Sequence, residues 1–201
     1  MQPKVTLYLD LDRTLFITDR VNELLDEACE RLYGILPTKR RQDQPAYSTR
    51  VGDQHFYRFF DQLEQYGVAR DRAVRELRQA FAGLDFLYPD ARKLLAYLSL
   101  HQWPTVVLSL GDQDFQTFKY SLVPELQRLP IICTEALKGE YFRGHTETAL
   151  IVDDRKIAGL PETCQGVLID RTEHKLMHRQ TDGYLVISDL TRVEELLRAY
   201  E

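Results

Sequence analysis

The stretch VTLYLDLDRTLF, residues 5–16, ends a short apolar run in two aspartates, Asp10 and Asp12, one residue apart. VTLYL is apolar and rich in β-formers, so it reads as a buried strand. A carboxylate at the end of such a strand has lost part of its water and needs a partner. Residues i and i+2 of a strand point to the same side, so the two aspartates are expected to face one way. Two carboxylates so placed repel unless a cation lies between them or they share a proton. The stretch thus predicts a strand and a charged site at its carboxyl end.

Residues 89 onward repeat that theme. YPDARKLLAYLSLHQ reads as a helix with Pro89 in its first turn, TVVLSL as a strand and DQDFQTFKYSLV as a helix. PIICT, ALIVDD, GVLID and YLVIS read as further strands, and LTRVEELLRAY as a closing helix. Strands alternating with helices predict βαβ units and a parallel sheet. In such sheets ligands sit outside the carboxyl ends of the strands.

Residues 17–88 read differently, as mostly helical. RVNELLDEACERLYGIL carries Val21, Leu24, Leu25, Ala28, Leu32 and Ile35 at helical spacing. DQHFYRFFDQLEQYGV predicts a helix capped by Asp53 and ended by Gly67. ARDRAVRELRQAFAGL predicts a third, capped by Asp71 and ended near Gly83. The segment between the first two, with Lys39 to Arg41, reads as a solvated loop. Phe56, Phe59 and Phe60 are expected to form a small core within the helical stretch, and Thr117, Lys119 and Tyr120 a solvated helix face.

Composition sets outer limits. The chain has 201 residues, 44% hydrophobic and 28% charged, which suits one sizeable core or a core with a small subdomain. Its net charge of −5 argues against a general nucleic-acid or membrane-surface binder. Three scattered cysteines without CxxC spacing read as free thiols. With no signal-type leader and no apolar run long enough to span a membrane, the expected location is cytoplasmic.

Three strand ends carry chemically useful groups: Asp10 and Asp12, Ser109 in TVVLSLGD, and Asp153 with Asp154 in ALIVDD. Lys138, in ALKGEY, precedes the second acidic pair. Carboxylates from two strands suit a hard divalent cation such as Mg²⁺. A serine hydroxyl and a lysine ammonium can hold phosphate oxygens. One aspartate can then act as a nucleophile and another can move a proton.

These positions resemble the haloacid dehalogenase (HAD) superfamily. DLDRT resembles its first motif, Asp-x-Asp-x-Thr; Ser109 the second; Lys138 the third; and IVDD the fourth, in the same order along the chain. The resemblance implies an α/β, Rossmann-like three-layer core with a parallel sheet, formed by residues 1–16 and 89–201. It also implies a small helical cap at 17–88. It makes Asp10 the nucleophile that forms an aspartyl-phosphate, and Asp12 the general acid and then base. Thr14, Ser109 and Lys138 become the phosphate-binding set, with Thr14 fixing the turn after the strand. Mg²⁺ would be held by Asp10, the backbone carbonyl of Asp12, and Asp153 with Asp154. Asp154 is favoured as direct ligand, and Asp153 acts directly or through water.

Many members have glycine where this chain has Arg13. Arginine there predicts an ordinary backbone conformation and a side chain reaching solvent, cap or substrate. Arg13, Arg50 and Tyr57 are the candidate specificity residues. The implied activity is Mg²⁺-dependent hydrolysis of a phosphomonoester, a small phosphorylated metabolite. A phosphotransferase or mutase, or a non-catalytic module of the same fold, are the alternatives.

Overall fold

The structure, a computed structural model, describes residues 5–172, 177–179 and 183–200. Its main sheet has seven strands in the order β5-β4-β1-β6-β7-β9-β8. They are β1 (Thr6–Leu9), β4 (Thr105–Leu110), β5 (Ile131–Thr134), β6 (Ala149–Asp153), β7 (Cys164–Ile169), β8 (Met177–Arg179) and β9 (Leu185–Ile187). Every pairing is parallel except that of β8 with β9. β1 lies centrally, with Leu9 in register with Val107 of β4 and Val152 of β6.

Alternation along β1 divides the core between the two faces of the sheet. Leu7 and Leu9 enter the larger cluster, with residues of α5 (Pro89–Leu100), α6 (Gln113–Ser121) and α8 (Thr191–Arg198). Tyr8 enters a smaller one, with Phe142 just after α7 (Lys138–Tyr141) and Ile157. Both faces are therefore covered, which gives the three-layer arrangement expected of a buried parallel sheet.

Residues 17–88 depart from an all-helical reading. α1 (Thr18–Tyr33) ends at Gly34, whose left-handed φ of 69° closes the helix. α2 (Pro37–Asp43) and a short 3₁₀ turn over Gln44–Tyr47 follow. Next comes an antiparallel hairpin, β2 (Ser48–Val51) and β3 (Gln54–Tyr57). α3 (Phe59–Gln65) and α4 (Arg70–Ala80) complete the segment.

Asp53 is in the hairpin turn and does not cap α3, which starts after Arg58. Asp71 lies within the first turn of α4, behind Ala69. Lys39 to Arg41 belong to α2 rather than to a loop. Arg40 is buried, and it and Arg41 both pair with Asp26 of α1, because a buried guanidinium needs a carboxylate.

The chain enters and leaves this segment side by side. Phe16 bridges Leu87 in antiparallel fashion, Ile17 N donates to Phe86 O (2.8 Å) and Tyr88 N to Leu15 O (3.0 Å). Phe59 and Phe60 do not form a private core. Phe59 stacks on Phe115 of α6 at 5.0 Å and Phe60 meets Phe118 edge-on at 5.5 Å, so both join the larger cluster. Cys29, Cys133 and Cys164 are free thiols. Among the described residues no helix is long and apolar enough to cross a membrane.

Candidate active site

β1 stops at Leu9, and Asp10 N donates to Val152 O of β6 (2.9 Å), which fixes Asp10 at the carboxyl edge of the sheet. The chain then turns sharply: Leu15 N and Phe16 N both donate to Leu11 O, and Arg13 N to Phe16 O. Arg13 takes a left-handed φ of 60°, against the ordinary conformation expected for it. The closed turn imposes this, and the Arg13 side chain reaches Asp19 at 2.9 Å. Arg171 supports the turn from outside, donating to Thr14 O (2.8 Å) and to Asp90 (2.9 Å).

Asp10, Asp153 and Asp154 each place a carboxylate oxygen within 4.8 Å of the others. Lys138, at the start of α7, donates to Asp10 Oδ1 (2.5 Å) and to Asp153 Oδ2 (2.6 Å), all three side chains being buried. Asp153 Oδ1 also accepts from Arg155 N (2.9 Å). Both Asp153 oxygens are thus occupied, whereas Asp10 Oδ2 is buried with no hydrogen-bond partner among the described residues. Burial, together with Asp153, Asp12 and Asp154, pushes the Asp10 carboxyl up to about 8 against the opposing pull of Lys138. Burial and neighbouring Asp153 push Asp154 up to about 6. A cluster of acids that resists ionising so strongly is short of positive charge. The three carboxylates and the unpartnered Asp10 oxygen fit a hard divalent cation.

Asp12 faces a different partner. Its carboxylate accepts from Lys119 Nζ at 2.5 and 2.6 Å, from Gln116 Nε2 at 2.9 Å and from Thr18 Oγ1 at 2.8 Å. Burial works against ionisation of Asp12, but Lys119 and the donors from Gln116 and Thr18 outweigh it and hold the group below the usual carboxylate range. The two aspartates coexist because each has its own lysine. Lys119 was expected on a solvated face, yet its side chain is only 4% exposed. Phe115, Gln116, Phe118, Lys119 and Tyr120 make up the buried stripe of α6. The sequence held a signal for this: Gln116 and Lys119 share a helical stripe with phenylalanines, where polar groups need partners. Gly111 leaves the space that Gln116 Nε2 fills, since a Cβ there would collide with it.

A cavity of about 140 Å³ brings together Asp10, Asp12, Arg13, Lys138, Asp153 and Asp154, with Thr18, Leu110 and Arg155. Gln54 and His55, from the hairpin strand β3, also line it. Arg50 and Tyr57 do not. Arg50 Nε bonds Gly52 O within the hairpin (2.9 Å), and Tyr57 is held by Arg40 and Gln62. Arg50 pairs with His55 across the hairpin, but its guanidinium is turned back onto the turn carbonyl, and Tyr57 pairs with Ser48 at the end remote from the turn.

Ser109 is buried on β4, two residues beyond the Val107–Leu9 pair; it does not line the cavity, and its hydroxyl has no hydrogen-bond partner among the described residues. Thr14 is fully buried, does not line the cavity, and its hydroxyl is likewise unpartnered. The backbone bonds to Leu11 and Phe16 hold the turn without it.

No protein-family model matches the sequence, and no curated protein matches it. Solved structures do match over nearly the whole chain. A Burkholderia xenovorans LB400 protein described as a haloacid dehalogenase-like hydrolase superposes with a TM-score of 0.65 at 20% identity, covering 98% of each chain. A Thermococcus onnurineus protein described as a HAD phosphatase gives 0.58 at 17% identity, covering 96% of this chain and 97% of its own. Bacillus subtilis YfnB, described as a HAD-hydrolase bound to magnesium, gives 0.56 at 16% identity over 98% and 99%. Other matches include proteins described as a dehalogenase and a β-phosphoglucomutase. The chain has the fold of the HAD-like hydrolases.

Proposed function

We propose that the chain is a Mg²⁺-dependent phosphatase that hydrolyses a small phosphomonoester through an aspartyl-phosphate on Asp10. The observation that carries this reading is the buried, unpartnered Asp10 Oδ2 beside Asp153, Asp154 and Lys138 in one cavity. A lone apolar-pocket nucleophile, as dehalogenation would use, has no need of two further acids.

Asp10, Asp153 and Asp154 would hold Mg²⁺, with the Asp12 backbone carbonyl. The metal would neutralise phosphoryl charge and fix the group's orientation. Asp154 is the favoured direct ligand, because no hydrogen bond engages its carboxylate among the described residues, whereas Asp153 is held by Lys138 and Arg155.

In the reaction, an Asp10 oxygen attacks phosphorus and the bond to the leaving alcohol breaks, and the leaving oxygen takes a proton from Asp12, which must enter this step protonated against the pull of Lys119, Gln116 and Thr18. Asp12 then takes a proton from the water that cleaves the aspartyl-phosphate, which frees phosphate and restores Asp10. Lys138 and the Ser109 hydroxyl offset charge on the transferring group.

Residues 1–16 and 89–201 form the catalytic core in this reading and 17–88 a cap, whose Gln54 and His55 meet the leaving group. The 140 Å³ cavity is smaller than the ~300–1,000 Å³ usual for ligand pockets, which favours a small ester. The test is turnover of a panel of sugar phosphates, nucleotides, phosphoamino acids and cofactor phosphates, before and after chelation. Phosphate release that stops with chelator and returns with Mg²⁺ supports the reading. Undiminished release from metal-free protein overturns it. Adding a second alcohol separates transfer to water from transfer to an acceptor.

A further inference from the structure

Among the described residues, Asp12 is the one acid lining the cavity that stays out of the Asp10, Asp153 and Asp154 cluster, although it stands two residues from Asp10. Lys119 accounts for that. Its Nζ spans both Asp12 oxygens, and Gln116 from the same helix takes one of them again. Lys119 has little freedom: it is buried, and its ammonium lies 4.9 Å from the centre of the Phe115 ring. Gln116 is anchored by a second bond to Leu110 O at 3.1 Å. The arrangement is a rigid clamp on α6, supplied by residues that touch neither the acidic cluster nor Lys138.

We propose that Lys119, with Gln116, is a positioning residue that holds the Asp12 side chain away from the metal-binding acids and aimed at the leaving group. Released from the clamp, an aspartate side chain at this position can turn to the cation and join it as a further carboxylate ligand. That would tighten metal binding while withdrawing the group that serves the leaving alcohol. The inference rests on the phosphatase reading for its catalytic part only; its metal-binding part stands on the geometry alone.

The test is a double-mutant cycle on Lys119→Met and Asp12→Asn, with Mg²⁺ binding measured by calorimetry and kcat and KM measured on an alkyl and an aryl phosphate. Losing the lysine charge strengthens cation binding whether or not Asp12 is present, so the informative quantity is the difference between the two backgrounds. The expected result is that Lys119→Met tightens Mg²⁺ about tenfold more with Asp12 in place than in the Asp12→Asn protein, a coupling of about 1.4 kcal/mol. Equal tightening in both backgrounds overturns the proposal.

In turnover, with each protein measured at its own pH optimum because loss of Lys119 also eases protonation of Asp12, Lys119→Met should lower kcat on the alkyl ester by about tenfold or more, with the aryl ester spared, as protonation by Asp12 matters less for a good leaving group. Lys119→Arg, which can still bind both oxygens, should restore most of the loss. An equal loss on both esters marks structural damage and overturns the proposal. Were the wild-type chain to hydrolyse no ester, the phosphatase reading would fall, and the calorimetric cycle would still decide the clamp.

Discussion

At the scale of single residues, the site turns on how buried charge is shared. Lys138 serves Asp10 and Asp153 together, while Lys119 serves Asp12. Removing Lys138 takes the ammonium from two buried carboxylates, whereas Asp12 keeps its bonds from Gln116 and Thr18 when Lys119 is lost; breaking a buried ion pair costs roughly 3–5 kcal/mol. Lys138→Met should therefore lower stability as well as turnover, measured by denaturant unfolding and by phosphate release. Acidity supplies a second prediction. Asp10 and Asp154 are raised above their unfolded values, to about 8 and about 6. A raised carboxyl favours the folded state below the unfolded pKa, and that contribution is lost as pH climbs through the folded one. Metal-free protein should thus lose stability between about pH 4 and pH 8. Mg²⁺ bound by these acids would replace the protons, so the rise in Tm on its addition should be larger at pH 8 than at pH 5.5, by a few °C on the order set by ~2–4 °C per kcal/mol. A rise that is the same at both values, or larger at pH 5.5, contradicts the assigned shifts.

Asp10, Asp153 and Asp154 were legible as neighbours because each ends an apolar strand, and strand ends in a parallel sheet converge. Lys119 is harder to place, because a lysine in a mixed helix looks solvated until the helix is rotated onto its Phe115 and Phe118 stripe. Arg13 was misread for another reason. Its left-handed backbone is set by the Leu11 and Phe16 bonds that close the turn, and these depend on the whole loop rather than on the residue.

At the scale of elements, the hairpin β2–β3 changes which residues can meet a substrate. It was hidden in a sequence where Phe56 belongs to a strand and Phe59 to a helix, so that the two periods run together. The two-residue Gly52–Asp53 turn, with Gly52 at a φ of 62°, was the available sign. Gln54 and His55 reach the cavity from β3. Gln54→Ala and His55→Ala should raise KM for the preferred ester several-fold while sparing a small generic aryl phosphate; equal loss on both substrates would make them structural. Arg58 ties this end of the segment to Asp112 and Glu135, and Arg70 ties α4 to Asp114 of α6. The Phe59 and Phe60 contacts with α6 add apolar area to the same junction. Phe59→Ala and Phe115→Ala should each cost about 3–5 kcal/mol. Being stacked partners, they should depart from additivity by ~0.5–3 kcal/mol in a denaturant-measured cycle. Strict additivity would mean that residues 17–88 do not share a core with α6.

At the scale of the molecule, the fold concentrates chemistry at one edge. β1, β4 and β6 deliver Asp10, Ser109 and Asp153 from adjacent strands, and α6 and α7 bring Lys119 and Lys138. Residues 17–88 contribute Thr18, Gln54 and His55 to the cavity at this edge and join the rest of the chain where Phe16 bridges Leu87. Such paired crossings are natural hinges, and opening there would break the Phe59 and Phe60 contacts with α6. The central claim is that phosphate passes through Asp10. It is tested most directly by acid-quenching the enzyme during turnover of a radiolabelled ester and mapping the label on the protein. The account predicts an acid-stable, hydroxylamine-sensitive label on Asp10 that appears with Mg²⁺ and is absent from Asp10→Asn, which should also be inactive. Label retained by Asp10→Asn, or turnover by that variant at the wild-type rate, would contradict it.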